Sequence, residues 1–208
     1  MFEDYPKTVK LRDGQEIELR RMVEADEQAL FDFFNSLGAD DVAFLKEDVT
    51  NPKVIERWVK QIDYDRVIPI LACKGNKILA DATLHCNQYG WSRHVGEIRI
   101  VTHPEYRKRG MGSILAREIF FLAIKLKLEK VMAHVLEDHQ DGIKVFTRLG
   151  FNPEAVLHDH AVDMRGKKHN LIIMSQSITE FWQRIQDMFE EYSKVRSGTT
   201  ETVKDAVM

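Results

Sequence analysis

The 208-residue chain has little of several things, and each shortage excludes a class. It holds two cysteines, Cys73 and Cys86, too few for the disulfide framework of a small secreted scaffold. Five prolines and 11 glycines rule out a collagen-like or Pro/Gly-rich low-complexity chain. No uninterrupted apolar run approaches the roughly 20 residues that a membrane-spanning helix needs. Charge of one sign is not in surplus either. Thirty Lys and Arg against 33 Asp and Glu leave a net charge of −3, so no global field favours nucleic acid. The opening Met-Phe-Glu-Asp has neither a basic n-region nor an apolar h-region, so secretion is not expected. These absences together predict a soluble cytoplasmic protein with reduced thiols and no nucleic-acid or membrane partner. What remains is ordinary globular material, 44% hydrophobic and 30% charged, enough for one main domain.

Residues 8–21 read as a strand pair, with Val9 and Leu11 in the first arm, a turn at Arg12-Asp13-Gly14, and Ile17 and Leu19 alternating with Glu18 and Arg20. A helix is expected over about residues 25–37, with Leu30, Phe33, Phe34 and Leu37 on one face and Gly38 as its C′ residue. Residues 38–50 then read as a connecting loop. Asn51 and Pro52 have the chemistry of a cap followed by Pro at the first helical position, and Ile55, Trp58, Val59 and Ile62 mark a short helix behind them. Residues 67–86 predict a hairpin about Gly75-Asn76. Its register pairs Lys74 with Lys77 and Cys73 with Ile78, and puts Cys86 near Asp65, so the two cysteines lie too far apart to bridge.

Residues 96–112, Gly-Glu-Ile-Arg-Ile-Val-Thr-His-Pro-Glu-Tyr-Arg-Lys-Arg-Gly-Met-Gly, organise the rest. A strand-like run breaks at His103-Pro104, delivers three cations beside two glycines, and passes straight into a helix. A helix N-terminus carries unsatisfied N–H groups and partial positive charge, which suits an anion. Gly110 and Gly112 remove side chains where that anion must approach the backbone. Cations at such an end oppose the helix dipole, which argues against a purely structural role for Arg107, Lys108 and Arg109. Further on, residues 130–135 form a short strand and residues 140–149 a helix closed by Gly150. A second hairpin turns at residues 165–168, and the Ser177-x-x-Glu180 capping box opens an amphipathic helix carrying Phe181, Trp182, Phe189 and Tyr192.

The run Pro104-Glu105-Tyr106-Arg107-Lys108-Arg109-Gly110-Met111-Gly112 resembles the acyl-CoA-binding motif of the GNAT N-acetyltransferase superfamily, Arg/Gln-x-x-Gly-x-Gly/Ala. Val145 to Phe151, Val-Phe-Thr-Arg-Leu-Gly-Phe, is similar to a later segment of that family, and the element order from Leu11 to Gln176 follows it. The resemblance implies an α/β fold of α+β type, acyl-CoA N-acyltransferase-like, with a mixed, mostly antiparallel central sheet and helices on both faces. It implies acetyl-CoA as co-substrate, its pyrophosphate held by backbone N–H groups of Arg107, Lys108, Arg109, Gly110, Met111 and Gly112. Ile100, Val101 and Thr102 would pair with the pantetheine amides as a strand does. On this reading residues 1–177 are the acetyltransferase domain, 178–194 a C-terminal helix, and 195–208 a polar tail.

Acetyl transfer to an amine asks for a base, because an ammonium with a pKa near about 10.4 has no lone pair to attack with. It also asks for an oxyanion donor, and the departing thiolate benefits from an acid. Glu97 stands where many family members supply the base; its bland alternatives are a strand-end surface glutamate, or an ion pair with Arg99 or Arg93. Phe146 occupies the place of a frequent tyrosine and cannot donate a proton. His139 stands where relatives carry an asparagine near the cofactor, and is read as an acid, a pantetheine contact or an exposed loop residue. Tyr106 and Ser113 are lesser acid candidates. His158 and His160 share a strand face but lack a third ligand at defined spacing, so no metal is expected. The expected function is acetyl-CoA-dependent N-acetyltransfer to a small-molecule amine, a protein lysine or a protein N-terminus. The alternative, motivated by Phe146, is a CoA-binding regulatory module without catalysis. For the C-terminal helix the two readings are docking on its own domain and a homodimer contact.

Overall fold

The computed structural model describes residues 2–183 other than 43, 44, 46 and 164, with backbone only at 39 and 40. Eight strands form one sheet: β1 (Lys7–Lys10), β2 (Glu16–Arg21), β3 (Val67–Lys74), β4 (Lys77–Cys86), β5 (Val95–Thr102), β6 (Lys130–Leu136), β7 (Asn152–Val162) and β8 (Lys168–Ser177). Their order is β1-β2-β3-β4-β5-β6-β8-β7. Every neighbour pair is antiparallel except β5 and β6. That parallel pair needs a crossover, which α4 (Met111–Lys125) provides. The fold is the mixed, mostly antiparallel α/β arrangement expected.

Helices cover both faces. α4 and α5 (Gln140–Arg148) pack Leu115, Ile119, Phe120 and Phe146 against Ile70, Leu84, Ile98, Val131 and Met174. On the other face α1 (Glu27–Asn35) and α3 (Pro52–Lys60) pack Leu30, Phe33, Phe34, Ile55 and Val59 against Leu71, Cys73, Ile78 and Val101. Strand alternation sorts the two cores: along β5, Ile98 and Ile100 face α4, while Val101, with Glu97 and Arg99, faces α1 and α3. Gly96 is needed for closeness, since a Cβ there would stand 2.7 Å from Leu128 Cδ1 and 2.8 Å from Leu84 Cδ1.

Local chemistry explains most boundaries. Asn51 Oδ1 accepts from Lys53 N at 3.1 Å, and Pro52 opens α3. The β3–β4 hairpin turns at Gly75-Asn76 with Lys74 opposite Lys77 and Cys73 opposite Ile78, and Cys86 N bonds Arg66 O. Both cysteines are free thiols, and burial raises their pKa values to about 11. Asp26, buried at the start of α1, accepts two bonds from Arg20 at 2.6 and 2.7 Å and one from Val23 N, tying helix to β2.

Two expectations need correction. Gly38 is not the C′ residue of α1: the helix ends at Asn35, and Ser36 Oγ and N turn back onto Phe33 O. The stretch after it is not all loop, because a single helical turn, α2 (Ala39–Val42), follows at once, with Asp41 N bonding Gly38 O. Reading glycine as a stop signal missed that a serine hydroxyl can satisfy the same carbonyl. At the C-terminus, Ser177 Oγ accepts from Glu180 N at 3.2 Å, helix begins at Ile178, and Phe181 stacks edge-on to Phe120 of α4. The later aromatic positions, Phe189 and Tyr192, and the tail lie outside the described residues.

Candidate functional site

The parallel ladder between β5 and β6 runs from the pair Val95–Lys130 to the pair Ile98–Ala133 and stops. β5 continues to Thr102 and β6 to Leu136, so beyond Ile98 the two strands part into a wedge. Four residues of β5, Arg99 to Thr102, present about 13 Å of edge to this opening at ~3.3 Å per residue. They include Ile100, Val101 and Thr102. A strand edge is a row of N–H and C=O groups awaiting partners, so an extended amide-bearing ligand fits it.

At the open end of the wedge stands the cationic loop. His103 caps a short turn of 3₁₀ helix, and the chain then takes left-handed backbone at Lys108 (φ 62°) and at Gly110 (φ 90°). Gly110 is the N-cap of α4. Its carbonyl accepts from Ile114 N, while the amides of Met111, Gly112 and Ser113 precede the first helical bond and have no acceptor within the helix. Two of the three cations are engaged sideways. Arg107 bonds Thr102 O and pairs with Asp41 of α2. Arg109 pairs with Asp13 at 3.2 Å, lies over the Tyr106 ring, and gives its carbonyl to Arg12 N. The charges therefore brace the loop, and what the loop offers an anion is chiefly its amides and the helix end. Gly112 leaves the space open: a Cβ added there would meet nothing nearer than Val145 Cγ2 at 3.9 Å. These features fit a diphosphate.

At the apex of the wedge lies Glu97. It is level with Met132 of β6 and opposite His85 of β4, on the sheet face of α1 and α3. Its carboxylate Oε1 is 3.4 Å from His134 Nδ1, with both side chains about one-third exposed. Arg99, named from sequence as a partner for Glu97, instead bonds Asp81 Oδ2 at 3.3 Å and lies over the Trp58 indole. Asp81 is buried beside Thr83, whose hydroxyl donates to it. Burial raises the Asp81 carboxyl pKa, opposed by Arg99 and Thr83. Arg99 Nε is itself buried and finds no hydrogen-bond partner among the described residues. Thus a polar strip of Asp81, Thr83, His85, Glu97, Arg99 and His134 crosses the sheet beside the wedge. Of these, sequence reading singled out Glu97 as a site residue and named Arg99 only as its partner. Alternation marks each as facing away from the α4 core, but which strands neighbour one another is not legible locally.

His139 is placed elsewhere. It is the N-cap residue of α5, exposed, with its ring against Gly142. β6 runs four residues past Met132 before the chain reaches the loop that holds it, so His139 flanks the open end of the wedge and is not brought to Glu97. Phe146 is buried against Phe151 in the α4 core. Ser113 lines a small 250 Å³ pocket with Lys10, Arg12, Gly110 and Arg117. His158 and His160 flank Asp159, whose positive φ interrupts β7 in an irregular stretch of its pairing with β8. Among the described residues no group of three His, Cys, Asp or Glu could hold a metal ion. No helix among them is long and apolar enough to cross a membrane.

Comparison with known proteins gives the same picture. The chain resembles the GNAT domain of S. lividans PAT (18% identity, 85% of this chain and 98% of that one, TM-score 0.71). It also resembles the ribosomal-protein-S5-alanine acetyltransferase of Vibrio fischeri (15%, 82% and 96%, TM-score 0.69). A GNAT superfamily phosphinothricin acetyltransferase from Sinorhizobium meliloti, in complex with acetyl-CoA, matches at 18% identity over 77% of this chain and 88% of that one, TM-score 0.66. At these identities the likeness is one of fold. The model of the Acetyltransferase (GNAT) family matches residues 28–151, more than half the chain and all of the wedge, loop and α4. Wedge, glycine loop and family match thus agree, and the chain belongs to the GNAT acetyltransferase family.

Proposed function

We propose that the protein is an acetyl-CoA-dependent N-acetyltransferase that acetylates a primary amine. The observation that supports this best is the combination on one strand: β5 has Glu97 at the apex of the wedge and leads at its other end into the glycine loop at the start of α4. Acetyl-CoA supplies the acetyl group as a thioester. The amides of residues 107–112 hold the diphosphate, and the β5 edge at Ile100, Val101 and Thr102 aligns the pantetheine arm. Glu97 takes a proton from the incoming ammonium, directly or through one water, which its partial exposure admits. His139, at the open end, contacts the carrier and does not act as the acid. With Phe146 in the core, no side chain need protonate the thiolate, which is a tolerable leaving group already.

Relatives of the same fold act on ribosomal protein alanine and on phosphinothricin, so small amines and protein N-termini both belong in the acceptor panel. Isothermal titration with acetyl-CoA is expected to show micromolar or tighter binding, and CoA release with an amine panel is expected to find an acceptor. No binding at micromolar concentration sinks the proposal. Binding without turnover on any amine, with Glu97→Gln silent, selects the non-catalytic CoA-binding module.

A further inference from the structure

The last rung of the β5–β6 ladder is Ile98–Ala133. His134 is therefore the first β6 residue past the rung, where the strands begin to part. It lies two positions beyond Met132, the residue level with Glu97, so His134 and Glu97 project on the same sheet face. The imidazole Nδ1 stands 3.4 Å from Glu97 Oε1, and both side chains reach water. The groups facing this pair from the packed elements are few. β4 contributes His85 and Thr83, β5 Arg99, β8 Ile173 and Ser175, and α3 the Trp58 indole over Arg99. Asp81 is taken by Arg99. His85 and His134 both bring imidazoles to this face, and His134 Nδ1 stands within ion-pair distance of the carboxylate.

We propose that His134 is a positioning residue for Glu97: it holds the carboxylate at the apex of the wedge and takes up the proton that the carboxylate receives. This rests on the reading of Glu97 as the base. After Glu97 has accepted a proton from the ammonium, its O–H bond breaks and an Nδ1–H bond forms, leaving carboxylate beside imidazolium. The imidazolium then gives a proton to water from its exposed ring. An imidazole nitrogen is a stronger base than a carboxylate oxygen, which drives the transfer from Glu97 to His134. Glu97 is thus returned to its ionised form before the next amine arrives. With the ring nitrogen already protonated the relay is full, so the acid limb of the pH profile belongs to the pair.

Two measurements test it. The first follows the ring signals of ¹³C-labelled histidine by NMR against pH in the whole protein and in Glu97→Gln. Removing the neighbouring anion is expected to lower the His134 midpoint; an unchanged midpoint overturns the inference whatever the rates show. The second measures CoA release from acetyl-CoA with n-butylamine between about pH 5 and 9. His134→Gln is expected to lower kcat roughly 10-fold with KM for acetyl-CoA unchanged and the acid limb displaced downward. Added imidazole is expected to restore His134→Ala. A fast Glu97→Gln enzyme removes Glu97 as the base. A slow Glu97→Gln enzyme with His134→Gln unchanged at every pH overturns the role of His134 and leaves the base intact. A loss in His85→Gln exceeding that in His134→Gln assigns the role to His85 and also overturns it.

Discussion

The two faces of β5 differ, although their residues alternate along the same few positions. Toward α4 it presents Gly96, Ile98 and Ile100, packed with Leu84, Leu115 and Ile119. Toward α1 and α3 it presents Glu97, Arg99 and Val101, and only Val101 joins an apolar cluster. The α4 face is closed by a 15-residue helix that buries seven side chains. The opposite face is covered by α3 only as far as Trp58 and Arg99, and past that line the strip is polar and wet. The difference teaches where this sheet places chemistry. One side fixes the strand by close packing, and the other uses that rigidity to hold a carboxylate, an imidazole and a guanidinium in register. Substitutions on the polar face should therefore change rate more than stability, and those on the α4 face the reverse.

Glu97→Gln tests the polar face at its strongest. The expected loss in kcat is about 10²- to 10⁴-fold, with acetyl-CoA affinity and thermal midpoint held; CoA release and titration calorimetry check both. An unchanged rate would break the comparison at its centre. Asp26→Ala comes next, a stability effect away from the wedge. It removes two hydrogen bonds from Arg20, whose pKa is raised by its bond to Asp26, and leaves it with Glu18 and the Arg21 carbonyl; by analogy with broken buried pairs it should cost about 3 kcal/mol, measured by denaturant titration. Gly96→Ala sharpens the α4 side: a methyl 2.7 Å from Leu128 is expected to cost about 1–3 kcal/mol through overpacking.

The two loop glycines separate fold from ligand. Gly112→Ala has room in the protein, so it should leave the thermal midpoint alone while weakening acetyl-CoA binding about 10-fold, if the diphosphate occupies that space. Gly110→Ala places a side chain at φ 90° and 3.2 Å from Arg12, and should lower both. Equal behaviour of the two variants would argue that the loop is structural only.

The smallest effect concerns His169, whose ring nitrogens meet Asp138 at 2.9 Å and Asp163 at 3.1 Å. These carboxylates raise its pKa, Asp163 foremost. A raised imidazole stabilises the fold fully below the unfolded value of about 6.5, and that gain is lost as pH rises through the folded value. The thermal-midpoint gap between wild type and His169→Gln should accordingly be largest near pH 6 and shrink toward alkaline pH. A gap that grows with pH contradicts the pairing.

Much of the frame is written locally. Alternation reveals the strands, Asn51-Pro52 the start of α3, and Gly75-Asn76 a hairpin whose register is right at the turn and slips by one residue past a bulge at Ala72/Cys73, because each signal acts within a few positions. Gly38 misled because a glycine is permissive and need not be used. The site divides the same way. The loop at Arg107 to Gly112 announces itself, since glycines, cations and a helix start are contiguous. Its neighbours are not contiguous: Asp13 and Asp41, which brace the arginines, lie 96 and 66 residues away.

By itself, then, the sequence determined most of the elements, a glycine-bearing helix start whose free amides suit an anion and a carboxylate on the strand that feeds it, all consequences of spacing along the chain. Only the tertiary structure decided that β6 runs parallel to β5 for four rungs and then departs. That departure opens the wedge, brings His134 to Glu97 and sends Arg99 to Asp81. It depends on which strands lie side by side, and α4 settles that by crossing between them, packed as a body against the sheet.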